Sequence, residues 1–187
     1  FASFRILNNP RRIAPAAMNL GIAAARGMYV ARADAHAEYP DNYIATLLAA
    51  ARRHKGTVGN VGTVIHTVPP VDTAEAIAIA EATSMRIGVG SSRFRTGTAM
   101  ERFVDTVPFG FFPRAVLEQV GGYDERLKRS QDIELNRRIA RAGWKVLLLP
   151  EPAVTYYSRA TVRAMMRKYI DNAKWNVWVA VITRRYR

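Results

Sequence analysis

Met28-Tyr29-Val30-Ala31-Arg32-Ala33-Asp34-Ala35-His36 reads as a short hydrophobic strand, Met28 to Ala33, that delivers an acid and an imidazole at its carboxyl end. A helix precedes it: Pro15 suits the first turn, Ala16 to Arg26 are mostly good helix formers, and Gly27 suits the position after the end. A second helix follows. It opens at Pro40, carries Ile44, Leu47, Leu48 and Ala51 on one face, and closes at Gly56. The same alternation continues downstream. Residues 57–68 form a Gly-interrupted strand, and 72–85 an Ala-rich helix with Asp72 or Thr73 as its N-cap. Residues 87–100 are a Gly/Ser-rich loop carrying Arg93 and Arg95. Val104–Val107 and Gly110–Phe112 are short strands, and Pro113 starts a helix closed by Gly121-Gly122. Ser130–Ala142 is a strong helix stopped at Gly143, and Lys145–Leu149 a buried strand stopped at Pro150. A last helix begins near Thr161, and upstream Phe4–Leu7 is a strand ended by Asn8-Asn9-Pro10. This order predicts one layered domain of α/β or α+β type, with no internal repeat and no linker that divides it.

The composition excludes several classes. Of 187 residues, 49% are hydrophobic and 23% charged, which is globular and not disordered. No apolar run approaches the roughly 18 residues of a membrane span, Val177–Ile182 being the best. With no Cys, disulfides, thiolate zinc sites and cysteine nucleophiles are ruled out. The 28 Lys and Arg against 15 Asp and Glu leave a net charge of +13, and 23 of the 28 are Arg. Such an excess suits an anionic partner: nucleic acid, a lipid surface, or the phosphates of a small substrate. The Arg residues are dispersed, and no zinc finger or aromatic-basic RNA motif accompanies them, so no nucleic-acid partner is expected. The chain begins at Phe1 without the layout of a signal peptide, and is expected to be internal to something longer, or processed.

Three constellations carry chemistry. Asp34 and His36, two apart in an extended chain, point to one side, where a carboxylate and an imidazole can share a divalent cation with phosphate oxygens. The carboxyl end of a strand is also where open α/β sheets bind ligands. Ser130-Gln131-Asp132-Ile133-Glu134 places Asp132 in a first helical turn, where it either caps the helix or serves as a general base. Beyond Tyr156-Tyr157-Ser158-Arg159, the final helix has an apolar stripe through Val162, Met165, Met166, Tyr169, Ile170, Ala173 and Val177. Arg163, Arg167, Lys168 and Lys174 populate its other faces, with Trp175 and Trp178 near its end. That is either a docked helix with solvated cations or an interfacial helix on anionic lipid. Phosphate-loop, dinucleotide, zinc-protease and serine-hydrolase signatures are missing.

In order and spacing, the chain resembles the family 2 glycosyltransferases, inverting enzymes of GT-A fold, and among them the succinoglycan-type exopolysaccharide glucosyltransferases. The residues that carry the resemblance are Asn8-Asn9-Pro10-Arg11, Ala17-Met18-Asn19-Leu20-Gly21-Ile22-Ala23, Ala25-Arg26-Gly27, and Arg32-Ala33-Asp34-Ala35-His36-Ala37. Val104-Asp105-Thr106-Val107-Pro108-Phe109-Gly110, Val120-Gly121-Gly122-Tyr123-Asp124-Glu125 and Gln131-Asp132-Ile133-Glu134-Leu135-Asn136 complete the run. The resemblance implies an α/β GT-A fold lacking its first nucleotide-binding strand, with residues 1–160 as a partial catalytic region and 161–187 as a basic amphipathic helix. It implies a hexosyltransferase that moves sugar from a nucleotide-sugar donor, a UDP-sugar, to a carbohydrate or lipid-linked acceptor in bacterial exopolysaccharide synthesis. Asp34 and His36 match the family's metal motif for Mn²⁺ or Mg²⁺, and Asp132 its acceptor-activating carboxylate. Arg32, Asp34, Arg93 and Arg159 are expected at the donor, and Gly110, Phe111 and Gln131 at the acceptor. Many relatives carry a His after the strand ending near Val154, where Tyr156-Tyr157-Ser158-Arg159 stands here, and a Q-x-x-R-W motif of processive enzymes survives only as Asp171-Asn172-Ala173-Lys174-Trp175. The expected location is the inner face of the plasma membrane, peripheral or anchored, on an anionic surface. The competing readings are a basic nucleic-acid-binding module and an inactive domain of the same family.

Overall fold

Two long strands, β3 (Val58–Val68) and β6 (Lys145–Tyr157), pair in parallel as the spine of the computed structural model, which describes residues 4–86 and 92–183. Around them, in chain order, lie α1 (Ala14–Ala24), β1 (Tyr29–Ala31), β2 (Ala37–Glu38), α2 (Tyr43–Arg53), α3 (Ala74–Ala82), α4 (Arg93–Thr96), β4 (Arg102–Val104), β5 (Phe111–Pro113), α5 (Arg114–Val120), α6 (Gln131–Arg141) and α7 (Val162–Ile182). The sheet order is β1-β5-β3-β6-β2, and β4 also pairs with β6. Only β3 and β6 run parallel; the β1–β5, β3–β5, β2–β6 and β4–β6 pairs are antiparallel.

Helices cover both faces, so the spine strands are apolar on both sides rather than alternating. Along β6, Leu147 and Leu149 enter a core with Tyr43, Leu47, Ala50 and Ala51 of α2. Their neighbours Val146 and Leu148 face the opposite way, against Val116 and Leu117 of α5 and Leu135 and Ile139 of α6. Pairs of opposed side chains thus hold two layers of helix onto one sheet. The α2 face differs from expectation at one position: Ile44 is exposed, and Tyr43 and Ala50 are buried with Leu47 and Ala51.

Most predicted elements are present, with instructive departures. Phe4–Leu7 is not a strand: Phe4 and Ile6 are 85% and 86% exposed, and no described strand supplies a hydrogen-bonding partner. β6 does not stop at Pro150. Between paired positions Thr63↔Leu149 and Ile65↔Val154 the register slips, so Pro150 and Pro152 fall in a bulge where no ladder N–H is required. The strand expected at Val104–Val107 ends at Val104, and β5 starts at Phe111 rather than Gly110; the chain between them turns through Phe109 at φ 49°. Thr73, not Asp72, caps α3, accepting a 3.2 Å bond from the Ala76 N–H. Residues 87–91 of the predicted loop and 184–187 of the last helix lie outside the described residues.

Candidate active site

The chain leaves β1 at Ala31, and Arg32, Asp34 and His36 follow in a tight turn instead of an extended strand. Asp34 accepts the Ala37 N–H at its carbonyl, while its own N–H donates to the Tyr39 hydroxyl at 2.7 Å. Tyr39 packs on Tyr43 and Phe109, with ring centres 5.0 and 5.6 Å away, and the Tyr43 hydroxyl donates to the Phe109 carbonyl. This aromatic group anchors the turn to the core. Burial raises the Tyr39 pKa despite the hydrogen bond from Asp34, and burial raises that of Tyr43 as well.

Arg32 joins the two acids singled out from the sequence. Its Nε and Nη2 donate to both Asp34 oxygens at 2.7 and 2.8 Å, and Nη1 donates to Asp132 Oδ1. Asp132, at the start of α6, therefore bonds a guanidinium across the cavity instead of capping its own helix. Burial opposes the Arg32 charge, but the bonds and charges of Asp34 and Asp132 outweigh it, and its pKa is raised. For Asp132 the balance runs the other way. Burial, reinforced by the nearby charge of Asp34, outweighs Arg32 and lifts its carboxyl above the ordinary range, although 33% of the side chain remains open to the cavity. A carboxylate so placed is a stronger base than a free aspartate.

Glycines and amides hold these acids in place. Gly122 lies against Asn19 of α1, and a Cβ there would stand 2.3 Å from Asn19 Oδ1. Asn19 in turn accepts the Tyr123 N–H at 2.7 Å and donates to the Tyr123 carbonyl and to Glu125. Tyr123 lies beneath Arg32, 6.0 Å from ring centre to guanidinium carbon. Across the sheet, Asn60 of β3 accepts the Phe111 N–H and donates to Asn136 of α6, which donates to Thr106. A Cβ at Gly110 would meet the Phe112 ring at 2.2 Å and Asn60 Oδ1 at 2.6 Å, so only glycine fits. Glu134, two residues beyond Asp132 in the same turn, instead grips Arg138 with both oxygens at 2.7 Å, while Arg138 also donates to the carbonyls of Val120, Gly121 and Gly122.

A cavity of about 310 Å³ lies between the two acids. Asp34, His36 and Asp132 line it together with Arg95, Phe109 and Tyr156. Other expected residues stand elsewhere. Arg93 is exposed outside the cavity, whereas Arg95 lines it, 5.3 Å from the Tyr156 ring centre. Phe111, expected at the acceptor, is a core residue stacked on Tyr29; Gly110 is packed under Asn60, and Gln131 is buried outside the cavity lining. Arg159 lines a separate basic cavity and shares a side groove with His36. Sequence reasoning missed Tyr39 and the Asn60–Asn136 pair. A tyrosine beside the acid turn and an asparagine inside an apolar strand were the available signals.

Among the described residues no group of three or more His, Cys, Asp or Glu is placed to hold a metal by itself. Asp34 and His36 nevertheless fit a divalent cation: each Asp34 oxygen has a second lone pair beyond its Arg32 bond, and the His36 ring opens on the same cavity. Further ligands would have to come from a phosphate-bearing substrate.

The family model for Glycosyl transferase family 2 matches residues 1–118. The chain belongs to that family. It is 31% identical over 165 residues to the succinoglycan biosynthesis protein ExoA of Rhizobium meliloti (strain 1021), covering 87% of this chain and 48% of that protein. It is 24% identical to a dolichyl N-acetyl-alpha-D-glucosaminyl phosphate 3-beta-D-2,3-diacetamido-2,3-dideoxy-beta-D-glucuronosyltransferase of Methanococcus voltae, covering 91% of this chain and 53% of that protein. This family 2 chain thus spans about half the length of the curated relatives it matches. Its fold is GT-A: a mannosyltransferase from Pyrobaculum calidifontis, solved in complex with GDP-Man and Mn²⁺, superposes with a TM-score of 0.60 at 21% identity. That match covers 95% of this chain and 45% of the solved one.

Proposed function

We propose that this region catalyses transfer of a sugar, with inversion, from a nucleotide-sugar donor to a carbohydrate or lipid-linked acceptor during synthesis of cell-surface polysaccharide. The observation that carries this reading is the cavity in which Arg32 spans Asp34 and Asp132. Both acids line that one space, and we assign Asp34 to the phosphate side and Asp132 to the acceptor side.

Inverting transfer needs two things from protein: a base for the acceptor hydroxyl and countercharge for the departing diphosphate. Asp132 is the base. As the acceptor oxygen bonds to the anomeric carbon, the bond from that carbon to the diphosphate oxygen breaks, and the hydroxyl proton passes to the Asp132 carboxylate. The raised carboxyl pKa favours that acceptance. Asp34 and His36 would hold Mn²⁺ or Mg²⁺, which would supply positive charge to the departing diphosphate. Arg95, on the same wall, adds its guanidinium to the donor side in place of Arg93. Arg32 keeps the two acids oriented before substrates arrive. Arg159, in the groove it shares with His36, sits within the field of the same phosphates.

A UDP-sugar is the donor we favour, and α7 is the element that meets an anionic membrane at the cytoplasmic face. Among the described residues, no helix is long and apolar enough to cross a membrane. Binding of UDP with and without Mn²⁺, in the full-length protein, tests the donor-site assignment. Asp34→Ala should abolish the Mn²⁺-dependent part. Metal-dependent binding that survives unchanged in both Asp34→Ala and His36→Ala contradicts it.

A further inference from the structure

A second cavity, of about 320 Å³, opens between the N-terminal half of α7 and the segment that leads into α6. Arg129, Arg159, Arg163, Arg167 and Lys168 line it against a single carboxylate, Asp171. That carboxylate is 3.8 Å from Arg129, which also donates to Asn172. Lys168 is turned onto Tyr156, donating to its hydroxyl at 3.0 Å. Among the described residues, Arg159, Arg163 and Arg167 have no carboxylate within ion-pair distance. Five cations converging on one carboxylate repel each other unless an anion joins them. Lys168 has a lowered pKa, from burial first and then from the charges of Arg95 and Arg159. The start of α7 is itself already satisfied, since Glu75 accepts the Val162 N–H and Thr161 the Ala164 N–H. The attraction for an anion therefore comes from the side chains.

The neighbouring face of α7 is apolar and open to solvent. Val162, Met166 and Ile170, spaced four residues apart, are 48%, 49% and 49% exposed. Arg163 and Arg167 each follow a member of that row, so a hydrophobic strip borders the basic cavity directly. On its other side the cavity adjoins the active site: Arg129 precedes Ser130, and Asn172 follows Asp171, both Ser130 and Asn172 lining the Asp132 cavity.

We infer that this basic cavity binds the phosphate or diphosphate of a lipid-linked acceptor, with the lipid lying along Val162, Met166 and Ile170 and the glycan end reaching toward Asp132. The inference rests on the transferase reading above and names its acceptor class. It is tested without turnover, so its failure and that of the transferase reading are separate results. Calorimetric titrations of the full-length protein, with no divalent metal and no nucleotide sugar, would use inorganic pyrophosphate and farnesyl diphosphate as probes. Both should bind, farnesyl diphosphate more tightly, because only it places apolar surface on the exposed row. The paired exposed substitutions Arg163→Gln and Arg167→Gln should weaken both probes at least about tenfold, the effect of losing one charge-assisted hydrogen bond. Ile170→Ser should weaken farnesyl diphosphate alone, and Asp34→Ala should weaken neither. Equal affinity for the two probes overturns the inference, as does unchanged binding in the doubly substituted protein or loss of binding in Asp34→Ala. Vesicles of phosphatidylglycerol in phosphatidylcholine provide the remaining arm. If they displace farnesyl diphosphate as readily as unlabelled farnesyl diphosphate does, bulk headgroups fill the cavity and the acceptor assignment falls.

Discussion

Replacing Glu134 by Gln tests whether the two acids in the first turn of α6 have been assigned to the right tasks. Glu134 is 4% exposed, and both its oxygens accept from Arg138 at 2.7 Å. Gln keeps one acceptor but turns an N–H₂ toward the guanidinium, so one charge-assisted bond is lost and two donors oppose each other. A charged hydrogen bond contributes about 1.5–3 kcal/mol. Removing one partner of a buried ion pair costs about 3–5 kcal/mol. Arg138 retains its bonds to the carbonyls of residues 120–122, which limits the damage. The expected loss is about 2–3 kcal/mol, or a fall of roughly 5–10 °C in Tm for a chain of this size. Asp132→Asn is the comparison: it removes the same charge from the same turn, but Arg32 keeps both bonds to Asp34, and a charge that burial disfavours is removed. Thermal and urea unfolding of the two variants beside wild type should give a clear loss for Glu134→Gln and little for Asp132→Asn. Equal stability of Glu134→Gln and wild type, or a larger loss in Asp132→Asn, would show that the clamp on residues 120–122 has been misread.

The pH dependence of stability gives a second check on Asp132. Its carboxyl holds a proton to higher pH in the folded chain than in the unfolded one, so between about pH 4 and its folded pKa the folded state binds more protons and stability falls as pH rises. Asp132→Asn does not titrate, and its stability relative to wild type should improve across that window and then level off; a relative decline would mean that Arg32 lowers the Asp132 pKa instead. Membrane association is expected from the far end of α7, where Lys174, Val177 and Trp178 are exposed: sedimentation should find the protein on anionic vesicles at low salt and released as screening increases. Equal binding to neutral and anionic vesicles, or to neither, would reduce α7 to an ordinary packed helix.

The local code carried much of the architecture. Pro15, Thr73 and the apolar face of α2 announced their helices through capping and periodicity, and the continuous apolar run of β6 announced a strand buried on both faces. What sequence could not show was pairing. A bulge opposite β3 lets β6 pass Pro150, and the lack of a ladder partner among the described residues leaves Phe4–Leu7 unpaired, both being properties of the sheet rather than of either segment. The site shows the same division. Asp34, His36 and Asp132, singled out by residue type and position, meet around one cavity. Arg32 as the link between the acids, and the tasks of Gly110 and Gly122, depend on contacts 50 to 103 residues apart: Asn60–Gly110, Arg32–Asp132 and Asn19–Gly122. Phe111 was misplaced because an aromatic beside a glycine looks alike whether it faces a ligand or the core.

Single-turnover transfer from a radiolabelled nucleotide sugar, measured in the full-length protein for wild type and Asp132→Asn, tests the central claim most directly. The account predicts a fall in transfer rate of about 10²–10⁴, with Mn²⁺-dependent nucleotide binding retained because Asp34 and His36 are untouched. Near-normal transfer by Asp132→Asn would contradict it and take the acceptor-activating role away from the acid that Arg32 holds across the cavity.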